Sequence, residues 1–101
     1  MLEYIIARTD DDEEFSFPFE KYPEILRPIR TPSKGIEGWG SNRIEVEGEE
    51  ISFSDETPGF QVVFETGKLS GERAKQLVVE ICENIESQTG QKARMYQLSF
   101  E

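Results

Sequence analysis

Apolar and polar residues alternate along this chain with two different periods, and those periods divide it into a sheet and one helix. Residues 2–7 place Leu2, Tyr4 and Ile6 on one side of an expected strand. Between 43 and 64 the period of two recurs three times. Ile44 and Val46 alternate with Arg43, Glu45 and Glu47, Ile51 and Phe53 alternate with Glu50, Ser52 and Ser54, and Phe60, Val62 and Phe64 follow. A two-residue turn at Gly48-Glu49 would set Val46 opposite Ile51, Ile44 opposite Phe53 and Glu47 opposite Glu50. A second turn over Asp55, Glu56, Thr57, Pro58 and Gly59 would bring the third strand alongside. The expectation is a three-stranded antiparallel meander with one apolar side. Residues 93–100, in which Tyr96, Leu98 and Phe100 alternate with Met95, Gln97 and Ser99, read as a last strand.

The other period is helical. Ala74, Leu77, Val78, Ile81, Cys82 and Ile85 recur at the three- and four-residue spacing of an amphipathic stripe, with Arg73, Gln76, Glu80, Glu83 and Ser87 on the opposite side. Ser70 is placed to cap the first turn, Glu72 complements the helix dipole, and Gly90 suits the position just past the end. A helix over about 70–89 with one apolar stripe needs a sheet to cover, and the meander needs a helix.

Residues 18–42 follow neither period. Pro18, Pro23, Pro28 and Pro32 exclude a long helix, yet Tyr22, Ile25, Leu26, Ile29, Ile36 and Trp39 are too apolar for a free linker. The stretch is expected to pack across the domain with one helical turn near Pro23–Leu26. Before it, Phe15, Phe17 and Phe19 alternate with Ser16 and Pro18, which suggests an edge strand or an extended segment. The sum is one α+β domain over residues 1–101, a largely antiparallel sheet of about five strands with a single helix on one face.

Charge narrows the function classes. With 11 basic against 21 acidic residues the formal net charge is −10, a field that opposes nucleic acids and anionic membranes and favours basic proteins. One cysteine precludes an internal disulfide, and Ile5-Ile6 is too short an apolar run for a signal or membrane segment, so a cytoplasmic protein is expected.

Catalytic chemistry finds little foothold. The chain has no histidine, Cys82 falls in the apolar stripe, and no phosphate-cradling, dinucleotide or zinc spacing occurs, so neither an enzyme nor a cofactor is expected. The run Asp10, Asp11, Asp12, Glu13 and Glu14 offers oxygen ligands but lacks the interspersed glycine of a calcium loop. The most suggestive feature is the acidic hairpin, where Glu45, Glu47 and Glu50 would point away from the core with Glu49 at the tip. Trp39, between Gly38 and Gly40, either plugs a gap at the core's edge or anchors a partner. The leading expectation is therefore a non-enzymatic interaction protein that binds a basic partner through Glu45, Glu47, Glu49, Glu50 and Trp39. The alternative is a carboxylate-based module or enzyme dependent on a divalent cation. Lys21, Arg27, Arg30 and Lys34 form the only locally basic stretch, of opposite sign to the hairpin, which leaves self-association open as well.

Overall fold

Six strands form a single sheet in the computed structural model, which describes residues 2–10, 14–56 and 59–99. In chain order the elements are β1 (Leu2–Arg8), a single 3-10 turn (Phe19–Lys21), α1 (Tyr22–Ile25), β2 (Lys34–Gly35), β3 (Asn42–Val46), β4 (Glu49–Glu56), β5 (Gly59–Phe64), α2 (Gly71–Thr89) and β6 (Ala93–Ser99). The strands lie side by side as β2-β3-β4-β5-β1-β6, and every neighbouring pair is antiparallel. With β1 between them, β5 and β6 run in the same direction, and α2 is the crossover that connects them. Thr57, Pro58 and Phe100, assigned above to the second turn and the last strand, lie outside the described residues.

The sheet and α2 meet as their periods require. All six stripe residues of α2 are buried in one cluster with Leu2, Tyr4, Ile6, Ile44, Val46, Ile51, Phe53, Phe60, Val62 and Phe64. Each large apolar side chain so buried is worth roughly 1.5–3 kcal/mol. Ser70 Oγ accepts the backbone N–H of Arg73 at 3.1 Å, and Gly90, left-handed at φ 76°, closes the helix by donating its N–H to Glu86 O.

Two details differ from the sequence expectation. The sheet has six strands because Lys34 and Gly35 pair with Glu45 and Ile44, a bridge of two residues too short to carry any periodicity. The first hairpin turns one residue earlier than expected, at Glu47-Gly48, with φ of 53° and 84°. Left-handed geometry at both positions matches the twist of the flanking strands. Ile44 therefore faces Ile51, Val46 faces Glu49, and Glu45 faces Glu50. Inward and outward parity survives the slip, so the four apolar residues still point to the core. Glu49 joins them there.

Polar side chains from distant elements order the irregular stretch. Asn84 on α2 donates to the carbonyls of Glu24 and Ile25, and Asn42 donates to that of Leu26. Glu80, expected on the polar side of the helix, is instead buried and accepts the backbone N–H groups of Arg30 and Thr31 at 2.9 Å and the Thr31 hydroxyl at 2.8 Å. A prolyl segment without a ladder must satisfy its amides elsewhere, and Glu80 supplies that partner. Burial alone would raise the Glu80 carboxyl, but these donors outweigh it and hold the group below the usual carboxylate range. Farther upstream, Phe15 and Phe17 lie against Phe60 and close one end of the core, in an extended segment rather than a strand. The Gln91 side chain exchanges two 2.8 Å hydrogen bonds with the backbone of Ser16, as a facing strand residue would.

Candidate functional site

The hairpin of β3 and β4 divides its glutamates between two sides of the sheet. Glu45 and Glu50 stand opposite each other on the face away from α2, half-exposed. Glu47 sits exposed in the turn, where the guanidinium of Arg73 binds both its oxygens at 3.0 and 2.6 Å and lowers its carboxyl pKa. Glu50 accepts from Arg43 Nη2 at 2.7 Å, and Lys34 stands opposite Glu45 across the β2–β3 pair. The lobe is therefore less acidic than its sequence suggests, since each of these carboxylates has a cation of the same chain bound or facing it.

Glu49 is not at the tip. It is fully buried, and its placement among the exposed recognition residues is corrected. One carboxylate oxygen accepts the backbone N–H of Thr66 at 2.6 Å together with the Thr66 hydroxyl. The other accepts Lys68 N–H at 2.8 Å and Leu69 N–H at 3.4 Å. Thr66, Lys68 and Leu69 lie between β5 and α2, outside both elements, and the carboxylate of Glu49 collects their amides. Burial pushes this carboxyl up, the four donors pull it down further, and the net is a pKa below the usual range. A cleft of about 460 Å³ lies beside it, lined by Leu2, Phe64, Thr66, Leu69 and Ser70.

Trp39 is exposed by 57%, so it is not a plug in the core. Its neighbours explain the pose. Ser41 N–H donates to Phe53 O at 2.7 Å, and Ile36 N–H donates to Arg43 O at 3.0 Å, which pins both ends of the loop to the sheet. A side chain at Gly40 would fall 2.6 Å from Phe53 O, and one at Gly38 would fall 2.5 Å from Arg43 Cδ, both at positive φ. The glycines press the backbone against β3 and β4, and the indole between them is left outside. Arg43, which Gly38 covers, is the residue that holds Glu50. The loop that carries Trp39 thus packs on the same two strands that carry Glu45 and Glu50.

The Cys82 thiol is buried, and its pKa is pushed up to about 12 by burial and then by Glu86 and Glu83. Arg30 pairs with Glu83 and Lys21 with Glu24, which spends part of the basic stretch on local charge balance. Among the described residues no three His, Cys, Asp or Glu side chains are placed to hold a metal ion, and Asp11, Asp12 and Glu13 lie outside those residues. No helix among the described residues is long and apolar enough to cross a membrane. Compared with known protein families, curated proteins and solved structures, the chain matches none.

What sequence reasoning missed is the pair of buried glutamates. Neither Glu49 nor Glu80 carries a local signal, because each answers amides that become its neighbours only on folding.

Proposed function

We propose that this is a non-catalytic interaction module that receives a basic protein on its hairpin lobe, with Glu45, Glu47 and Glu50 supplying charge and Trp39 supplying the apolar anchor. The observation that carries the reading is the exposed indole, held on a loop whose two glycines rest on Arg43 and on the Phe53 carbonyl of the strands that carry Glu45 and Glu50. A large aromatic kept in water by a pinned loop gains contact area when a partner covers it. The ion pair that Glu47 makes with Arg73 lies toward solvent, where such pairs are weak and a partner's cations can exchange for it. The charge of −10 steers basic partners toward the whole molecule.

The chain has one tryptophan, so its fluorescence reports on this site alone. Titration with a lysine- and arginine-rich peptide at low ionic strength should shift or quench Trp39 emission. The change should disappear in high salt, and it should weaken at least several-fold when Glu45 and Glu50 are both replaced by Lys. An emission that does not respond to the peptide at low salt would remove the anchor and the reading with it.

A further inference from the structure

The cleft between the prolyl segment 27–33 and the last turns of α2 differs in sign from its surroundings. Its volume is about 470 Å³, within the usual range for small-molecule sites. Arg27, Arg30 and Ser33 stand on its segment side, Ser87 and Gln88 on its helix side. Among the described residues no Asp or Glu lines it, in a chain where 21 of 101 residues are acidic. Four other clefts on the described surface each contain at least one carboxylate.

Most of its polar side chains are unengaged. Arg8, Arg30, Arg43 and Arg73 each bind a carboxylate. The Arg27 guanidinium has no partner among the described residues, and neither do the side chains of Ser33, Ser87 and Gln88. Arg30 is held by Glu83 Oε1 at 2.8 Å, but the two side chains are 65% and 46% exposed, so a ligand anion can exchange for that carboxylate. The backbone that carries these groups is already ordered. Pro28 is buried, Glu80 holds the N–H groups of Arg30 and Thr31, and Asn84 anchors the carbonyls of Glu24 and Ile25. A ligand therefore meets a preformed wall and does not have to order the segment.

We propose that this cleft binds a small phosphomonoester, with Arg27 and Arg30 on the phosphate and Ser33, Ser87 and Gln88 as neutral donors around it. Two guanidinium forks and three neutral side chains offer more donors than the two oxygens of a carboxylate accept, whereas a phosphate monoester presents three oxygens. No aromatic ring lines the cleft, so a hydroxylated remainder, as in a sugar phosphate, suits it better than a nucleobase, which needs a ring to stack on. The net charge of −10 opposes anions at long range. At physiological salt that field is screened over roughly 8 Å, and the groups in contact decide. Glu83 is the carboxylate that competes for Arg30.

The test is titration of the isotope-labelled full chain with glucose 6-phosphate, inorganic phosphate and glucose, read residue by residue in amide NMR spectra. The salt is about 0.15 M, and the pH is about 7.5, above the second phosphate pKa of about 6. Glucose 6-phosphate should shift amides of residues 27–33 and 84–88 and saturate with a Kd of about 1 mM or below. Phosphate should shift the same amides more weakly, and glucose should not shift them. Arg27→Gln, at an exposed position with no polar partner to lose, should keep the fold and weaken glucose 6-phosphate about tenfold or more. Glu83→Gln frees Arg30 and should tighten it roughly two- to fivefold. Amides that stay unmoved at on the order of 10 mM glucose 6-phosphate would overturn the proposal. So would equal shifts from uncharged glucose, or an affinity unchanged in folded Arg27→Gln.

Discussion

The carboxylate of Glu49 holds Thr66 by both its backbone N–H and its hydroxyl, across seventeen residues of sequence and inside the protein. With Lys68 and Leu69 on its second oxygen, this side chain joins the first hairpin to the segment that launches α2. The same device recurs where Glu80 holds Thr31, forty-nine residues away. Each buried acid replaces a stretch of secondary structure that proline or a turn sequence forbids.

Replacing Glu49 by Ala leaves several buried donors unanswered, at a cost of order 3 kcal/mol. The pH dependence has a definite sign. The folded pKa values of Glu49 and Glu80 lie below the ordinary glutamate value of 4.5, so their contribution is fully present above that value and is lost as pH falls through the folded pKa. Urea midpoints measured between about pH 5.5 and pH 3 should therefore fall with acid. In Glu49→Gln the fall should be shallower.

Glu80→Ala should release the stretch around residue 30 without dismantling the core. Losing its bonds to Arg30 and Thr31 costs about 2 kcal/mol locally, a roughly 30-fold rise in the open population. Trypsin should then cut the Arg30–Thr31 bond faster by a comparable factor, while α2 keeps its circular dichroism.

Gly59 lets the start of β5 pass close to the backbone of β1. A Cβ there would lie 1.9 Å from Ile6 O, and the obstacle is backbone that pairs in the β1–β5 ladder. Gly59→Ala should destabilise by more than about 3 kcal/mol, read as a large drop in thermal midpoint. Gly35→Ala, with open space at the same test, should change little.

Tyr4 lies fully buried, edge-on to Phe64, and its hydroxyl finds no partner among the described residues. Burial also pushes its pKa above the ordinary 10. An unanswered buried hydroxyl costs free energy, so Tyr4→Phe should leave the thermal midpoint unchanged or raise it, by up to about 1–2 kcal/mol of stability. A clear drop would show that the hydroxyl is engaged.

Much of this architecture was legible in the sequence because burial of apolar groups has a period. Ile44, Val46, Ile51 and Phe53 point inward and the stripe from Ala74 to Ile85 covers them, since a side chain's face follows from its place in the strand or helix. Ser70 and Gly90 mark the ends of α2 for equally local reasons. The hairpin register was less secure. Turns at Glu47-Gly48 and at Gly48-Glu49 bury the same apolar residues, and the choice between them rests on which turn matches the strand twist.

Amino-acid order alone determined the α+β class, the amphipathic helix, the meander and the strongly acidic balance, all of which depend on neighbours within a few positions. Only the tertiary structure decided that Glu49 and Glu80 go inside, that Trp39 stays outside, and that β6 ends the sheet with Tyr96 and Leu98 uncovered. The fate of a polar side chain depends on which orphaned amides arrive beside it, and those come from residues far away in the chain. Local pattern carries no record of that meeting.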